Sequence, residues 1–240
     1  MVQPLEFSLV LACYNEESIF AGNIIYIIET LNRSTLHYEI IFVDDVSRDN
    51  TRYLIKKTVK KYPKICRAFY HEKNRGRGAT VTDGFMAAKG SVVGYIDFDC
   101  EVSPVYIPEA VALIQNKKAD MVIGKRIYRT TLVSLIREIL SVGYQIFSNM
   151  LLGTAKIDTE SGYKFFDKKK ILPILKDADH PGWFWDTQVV VLAQRKKLKI
   201  IELPVLFLRR FDKQSSVKIF SDTYDYLINI WKFYRKLNTR

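Results

Sequence analysis

The segment Asp97-Phe98-Asp99-Cys100-Glu101 concentrates three carboxylates within five residues. In an extended chain alternate side chains face the same way, so the acids are expected to converge while Phe98 and Cys100 turn into the protein. Gathered carboxylates repel one another unless a cation lies among them. Hard oxygen ligands suit Mg2+ or Mn2+, which keep positions open for substrate phosphates. Asp97, Asp99 and Glu101 are therefore candidate metal ligands. A bare D-x-D recurs by chance, and its place at the end of an apolar run, SVVGYI, is what gives it weight.

Two other segments can join that chemistry. Asp44-Asp45 closes the apolar run EIIFV and offers acceptors to a nucleobase or ribose. The alternative is a helix N-cap, a role Ser47 or Asp49 can also fill. Asn74-Arg75-Gly76-Arg77-Gly78-Ala79 sets guanidinium groups and glycines just before a helix, where a pyrophosphate could bind. Neither Walker nor GxGxxG spacing is present, which argues against an ATPase or a dehydrogenase. His37, His71 and His180 are scattered, so zinc or triad chemistry is not expected. Cys13, Cys66 and Cys100 lie far apart without a CxxC pair, which points to a reducing compartment.

The elements that must position these residues alternate. Strands are expected at 7–11, 39–43, 68–71, 91–96 and 121–124, and helices at 19–31, 51–61 and 77–89, the last capped by Gly90. Strands that are apolar throughout and separated by helices indicate a mainly parallel sheet covered on both faces. Ligands of such sheets bind beyond the carboxyl ends of the strands, where the polar clusters 15–17, 44–45 and 97–101 all fall. Further on, 132–152 is a strongly apolar helical stretch, 183–195 reads as a helix and 200–206 as a strand. In the tail, 220–237, helical spacing aligns Phe220, Tyr224, Leu227, Trp231 and Tyr234, with Lys232, Arg235, Lys236 and Arg240 at its end. Such a helix either lies on a bilayer surface or packs on its own domain.

The 240 residues suit one sizeable domain with an appended segment. Hydrophobic content of 48% argues against disorder, and a net charge of +11 favours an anionic partner such as a lipid surface or a phosphorylated substrate. No run reaches the roughly 18 apolar residues of a membrane span, and the amino-terminal sequence turns acidic at once, unlike a signal peptide. Membrane contact is thus expected to be peripheral.

Seven segments, LVLACYNEE, IIFVDDVSRDNT, KNRGRGATVTDGFMAAKG, YIDFDCE, DTESGYKFF, WFWDTQ and IIELPVLFLRR, follow one another in an order that resembles the inverting family-2 glycosyltransferases. Within that family the pattern is similar to polyprenyl-phosphate sugar transferases, the dolichyl-phosphate mannose and glucose synthases. The resemblance runs from about residue 7 to 218. It implies a GT-A fold of the α/β class, with a mainly parallel central sheet, helices on both faces and C-terminal amphipathic helices. The implied organisation is a catalytic domain over 1–212, with a nucleotide-sugar half (1–125) and an acceptor half (126–212), then a basic amphipathic segment over 213–240.

The implied donor is a nucleotide-diphospho-sugar, UDP-glucose-like or GDP-mannose, used with Mg2+ or Mn2+. Its contacts would come from Ala12, Tyr14, Asn15, Glu16, Asp44, Asp45, Arg77, Asp97, Phe98 and Asp99, and the metal motif is Asp97, Asp99 and Glu101. The implied acceptor is a polyprenyl phosphate, held by Arg126, Arg137, Ser141, Lys164, Arg209 and Arg210. Such an acceptor is already anionic, so positioning and charge stabilisation suffice, with Arg137 central. A sugar hydroxyl would instead need a base, for which Asp158 and Asp186 are the candidates; for Asp186 a helix-start role is the alternative.

Further implied partners are an anionic membrane surface on the cytoplasmic face and a separate membrane-anchoring subunit, with no nucleic acid. Several positions depart from the family pattern: Ala12 replaces a proline, Val46 a glycine, Gln188 a glutamate and Glu101 a common glutamine. The paired transmembrane helices of many relatives are not found. Val46 is expected to disfavour a positive-φ turn after Asp45. The competing classes are a transferase acting on a saccharide hydroxyl, a nucleotidyltransferase, a basic lipid- or RNA-binding module, and a catalytically silent homologue.

Overall fold

Apolar runs separated by amphipathic stretches fold in strict alternation through the first half of the chain. They form β1 (Phe7–Cys13), α1 (Glu17–Asn32), β2 (Tyr38–Asp44), α2 (Thr51–Lys61), β3 (Cys66–Tyr70), α3 (Arg77–Ala87), β4 (Val92–Ile96), α4 (Ile107–Gln115) and β5 (Met121–Tyr128). Then come β6 (Tyr163–Asp167), α5 (Lys168–Leu175), α6 (Trp185–Arg195), β7 (Ile200–Phe207) and α7 (Ile219–Asn238). The computed structural model describes residues 5–128, 149–154, 157–209 and 219–239. Arg137, Ser141, Arg210 and most of the apolar stretch 132–152 lie outside them, as do the side chains of Phe220 and Tyr224.

The strands form one seven-stranded sheet in the order β3-β2-β1-β4-β6-β5-β7. β1 lies parallel to β2 and β4, β2 to β3, and β5 to β7, while β6 runs antiparallel to both β4 and β5. Side chains alternate across the pleat, and two cores result. Phe7, Leu9 and Leu11 of β1 face one core with Phe20, Ile24 and Ile27 of α1 and Val111 of α4. Val10, with Ile41 and Val43 of β2, faces the other, beside Phe85 of α3, Trp185 and Val189 of α6, and Ile230 and Phe233 of α7. Burial on both faces explains why the strands read as unbroken apolar runs.

Three short elements, α4, β6 and α5, were not expected from the sequence. β6 runs straight into α5 without a turn residue between them, so neither period stands out, and α4 is only nine residues long. The expected cap at Gly90 is corrected: α3 ends at Ala87, and Ala88 leads out in extended conformation. Gly90 is needed for space, since a Cβ there would lie 2.7 Å from the Phe7 carbonyl carbon.

The tail helix packs on its own domain. Ile230 and Phe233 are buried, the Tyr226 hydroxyl lies 2.8 Å from Thr187 Oγ1, and Lys236 donates to Asp179. Leu227, Trp231 and Tyr234 point the other way, with Trp231 52% exposed. No helix of the described residues is long and apolar enough to cross a membrane.

Candidate active site

β4 delivers the acidic segment to the sheet edge, but the chain does not stay extended there. The Cys100 N–H donates to the Asp97 carbonyl at 3.2 Å, and Cys100 takes φ +55°, so the segment turns. Alternation therefore does not carry through it, and the three acids do not close into a cage. Among the described residues no three His, Cys, Asp or Glu side chains are placed to hold a metal ion. Asp97, Asp99 and Glu101 nonetheless line one cleft, with Val102, Arg126, Gly162, Tyr163 and Phe207. Its empty space is about 300 Å³, part of it open to solvent. The loop is pinned from β7, where the Leu208 N–H donates to the Glu101 carbonyl at 2.8 Å and Val102 bridges to Phe207.

The donor set fits a divalent cation that completes its shell with substrate oxygens. Magnesium-type sites commonly use one or two carboxylates plus phosphates rather than a closed protein cage. Asp99 and Glu101 supply two hard oxygen donors to the cleft. Asp97 is already committed, since Arg77 donates to its Oδ1 from Nε at 3.1 Å and from Nη2 at 2.5 Å. Asp97 Oδ2 rests against Gly162, where a Cβ would fall 1.8 Å away, so any larger residue would expel this carboxylate.

Arg77 opens α3 and joins two parts of the site. Besides Asp97 it binds Asp186 Oδ2 from Nη1 at 2.5 Å, and its guanidinium stacks over Trp183 and Tyr95. Asp186, in the first turn of α6, also accepts from the Tyr95 hydroxyl and from Lys164 Nζ at 2.8 Å. Packing of Tyr95 and Phe85 against Trp185 fixes this arrangement. The expected pyrophosphate cradle at the start of α3 is corrected. The Gly78 and Ala79 amides donate to the Pro181 carbonyl, at 2.7 and 3.2 Å.

The loops beside it are equally tied. Asp45 accepts from the Arg75 and Gly76 amides, both at 2.8 Å, and pairs with His71 Nδ1 at 2.7 Å. Asp44 is fully buried and receives Arg52 Nε at 3.0 Å. These carboxylates organise the loops that carry them. Ala12 is half-buried near the end of β1 and Phe98 is buried in the core beside Phe20. Tyr14 is 43% exposed, while Glu16 is buried with its amide on Thr51 Oγ1 at 2.7 Å. Asn15 takes φ +57° and its Oδ1 accepts from the Arg48 amide at 2.8 Å. Val46, expected to disfavour a positive-φ turn, nonetheless adopts φ +66°. The loop is held strongly enough to impose the conformation on a β-branched residue.

On the other wall of the cleft Arg126 of β5 grips Asp158 in a fork, Nε and Nη2 each 2.8 Å from a carboxylate oxygen. Burial alone would raise the Asp158 pKa, but Arg126, with Lys164 behind it, holds it below the ordinary carboxylate range. Lys164 is fully buried and donates to the Thr159 and Ser161 carbonyls as well as Asp186. Burial lowers its pKa against the opposing pull of Asp186. Its ammonium is turned away from the cleft, so it props the 159–161 turn rather than meeting an acceptor phosphate. Arg209 is exposed just beyond β7.

Glu160 was missed by sequence reasoning. It stands 3.8 Å from Arg126, with 31% of its side chain exposed. Its surroundings push its pKa up to about 7, through burial first and then through Asp158 and Asp186, against Arg126. The signal lay in DTESGYKFF, where only the outer acid was singled out. Tyr95 and Trp183, which hold the Asp186–Arg77 pair, were also missed because in sequence they read as core aromatics.

Comparisons with known proteins bear on the family and the fold. The Glycosyl transferase family 2 model matches residues 8–175. A dolichyl-phosphate beta-glucosyltransferase of Dictyostelium discoideum is 26% identical over 254 residues, covering 96% of this chain and 78% of that protein. The Saccharomyces cerevisiae dolichyl-phosphate beta-glucosyltransferase is 31% identical over 188 residues, covering 70% and 56%. Glycosyltransferase AglD of Haloferax volcanii is 27% identical over 206 residues, 84% of this chain but 33% of AglD. The chain thus spans from a third to under four fifths of these relatives' lengths.

Among solved structures, glucosyl-3-phosphoglycerate synthase from Mycobacterium tuberculosis, in complex with Mn2+, UDP and glucosyl-3-phosphoglycerate, superposes with a TM-score of 0.70 at 16% identity, covering 95% of this chain and 79% of that one. Staphylococcus aureus TarS in complex with UDP-GlcNAc gives 0.57 at 18% identity, covering 94% and 65%. At such identities the likeness is one of fold, and the fold is GT-A. The family match extends over well more than half of the sequence, from β1 into α5, and the chain belongs to glycosyl transferase family 2.

Proposed function

We propose that this protein transfers a hexose from a nucleotide-diphospho-sugar, UDP-glucose-like or GDP-mannose, to a polyprenyl or dolichyl phosphate with inversion. One observation carries the choice of acceptor. Asp158 and Asp186, the two candidate bases for a sugar hydroxyl, are both locked in ion pairs, Asp158 with Arg126 and Asp186 with Arg77 and Lys164. Both carboxylates are already engaged by cationic partners, so neither is turned toward an incoming hydroxyl as a general base must be. A phosphate acceptor arrives ionised and needs none. The dolichyl-phosphate glucosyltransferases among the relatives support this reading, and the UDP and Mn2+ bound to a structural neighbour support the donor and metal classes.

Asp99 and Glu101 would hold Mg2+ or Mn2+, whose charge offsets that developing on the departing diphosphate. Arg77 orients Asp97 at the wall of the same cleft. Tyr14, Asn15 and Glu16 border the nucleotide, and Asp44 and Asp45 hold the loops around it. Arg126 and Arg209 are assigned to the acceptor phosphate with Arg137, Ser141 and Arg210, which lie outside the described residues. Guanidinium grips phosphate in a fork, which suits this task. The protein works at the cytoplasmic face of a membrane, with an anionic lipid surface and a separate anchoring subunit as partners.

A second reading, transfer to a saccharide hydroxyl, is favoured by Glu160, among the described residues the carboxylate with a raised pKa and partial exposure. The test is product analysis with polyprenyl phosphate, a free saccharide, Mn2+ and labelled donor. Label should pass into the organic phase as a lipid-linked sugar. It should be lost with chelator and in an Asp99→Asn, Glu101→Gln double variant of unchanged circular dichroism. Label found only on the free saccharide would sink the proposal in favour of the second reading.

A further inference from the structure

We propose that Glu160 is a positioning residue that controls how strongly Arg126 can hold an anionic acceptor. The inference rests on the phosphate-acceptor reading and gives that site a regulator. Arg126 is the cleft's cation on this wall, yet its guanidinium stands between two carboxylates, the Asp158 fork at 2.8 Å and Glu160 at 3.8 Å. One cation against two carboxylates leaves a net negative cluster, which repels phosphate. With Glu160 neutral the cluster balances, and a donor face of the guanidinium can turn to an incoming anion.

Asp99 and Glu101 face Arg126 across the same cleft, and in the proposed reading the divalent cation takes up their charge. The remaining charges nearby are paired. Lys164 of β6 pairs with Asp186 of α6, which also meets Arg77, and Arg77 in turn holds Asp97. Lys125 of β5 pairs with Glu202 of β7, and Glu202 also accepts the Asp158 amide. Within the Arg126–Asp158–Glu160 cluster of the described residues, Glu160 is therefore the group whose charge decides the sign. Asp158 cannot play that part, because Arg126 keeps it ionised. Glu160 changes charge near neutrality, where small shifts in pH move its population. The acceptor should accordingly bind more weakly as pH rises from 6 to 8.

The experiment is the acceptor KM and kcat for polyprenyl phosphate between pH 6 and 8, in the unaltered protein and in Glu160→Gln. The phosphate monoester itself titrates at about pH 6, and that contribution is common to both proteins. The unaltered protein should lose acceptor affinity across this range. The Gln variant should show a flatter profile, with acceptor KM at pH 8 lower by roughly 3- to 10-fold, the size of one nearby unit charge. Donor KM should not change. Parallel profiles for the two proteins would overturn the inference while leaving the phosphate-acceptor reading intact. A collapse of kcat with acceptor KM unchanged would overturn it too, by making Glu160 a general base. Failure of the unaltered protein to use polyprenyl phosphate at all would remove the reading on which the inference rests.

Discussion

At Val46 a β-branched side chain sits in the left-handed region, at φ +66°, immediately after Asp45. Asp45 explains why it can. That carboxylate receives the Arg75 and Gly76 amides and His71, while Ser47 and Arg48 are tied to Asn15, so neighbours on three loops dictate the turn. A non-glycine residue in such a conformation costs about 1–3 kcal/mol, and glycine would recover part of it after its own entropic loss. Val46→Gly should therefore raise stability by about 1 kcal/mol, a Tm increase of about 2–4 °C for a domain of this size. A melt showing a lower Tm would contradict the strain assigned here.

The same lesson holds at Asp97, Asp99 and Glu101: their types and place were legible in the sequence, their mutual geometry was not. The turn at Cys100 and the capture of Asp97 by Arg77 depend on contacts with β6, β7 and α6 that no local pattern records. Asp186 was likewise legible as an acid at a helix start, but the saturation of its carboxylate by three partners was not.

The elements were read more easily because their periods are local. The expected strands and helices through residue 124 coincide with β1 to β5 and α1 to α3, within a few residues at their ends. β6 escaped because Tyr163–Asp167 abuts α5 directly, although it is the strand that brings Lys164 under Asp186. α7 shows two apolar faces where the sequence suggested a choice between them. Ile230 and Phe233 face the core, and the stripe read from the sequence, Leu227, Trp231 and Tyr234, faces out. Lys232 and Arg235 are exposed beside that stripe, with Arg235 stacked on Trp231. Packing on the domain therefore leaves the helix able to meet an anionic bilayer. Each basic residue near such a surface contributes about 1 kcal/mol. Lys232→Glu with Arg235→Glu should weaken sedimentation with phosphatidylserine vesicles at least about tenfold, with Tm unchanged. Undiminished binding would place the membrane contact on another surface.

At the scale of the whole molecule, the sheet order brings β4 and the β5–β7 pair to either side of β6, so the acids that follow β4 and Arg126 of β5 line a single cleft. Ordered motifs along the sequence carried this architecture, because a fold-wide pattern survives divergence better than any one contact does. In the proposed reading, the ion pairs that engage Asp158 and Asp186 are what turn a family-2 cleft toward an acceptor that brings its own charge. Removing one partner of such a buried pair costs about 3–5 kcal/mol, so variants of Asp158 or Asp186 would confound folding with catalysis. Varying the acceptor avoids that. The most direct measurement is kcat/KM for a polyprenyl phosphate against the polyprenol of the same chain length, with the same donor and Mn2+. The account predicts a preference for the phosphate of at least about a hundredfold, on the order of 3 kcal/mol of transition-state stabilisation. Comparable values for the alcohol would contradict it, since they would require a general base, the part Glu160 takes in the second reading.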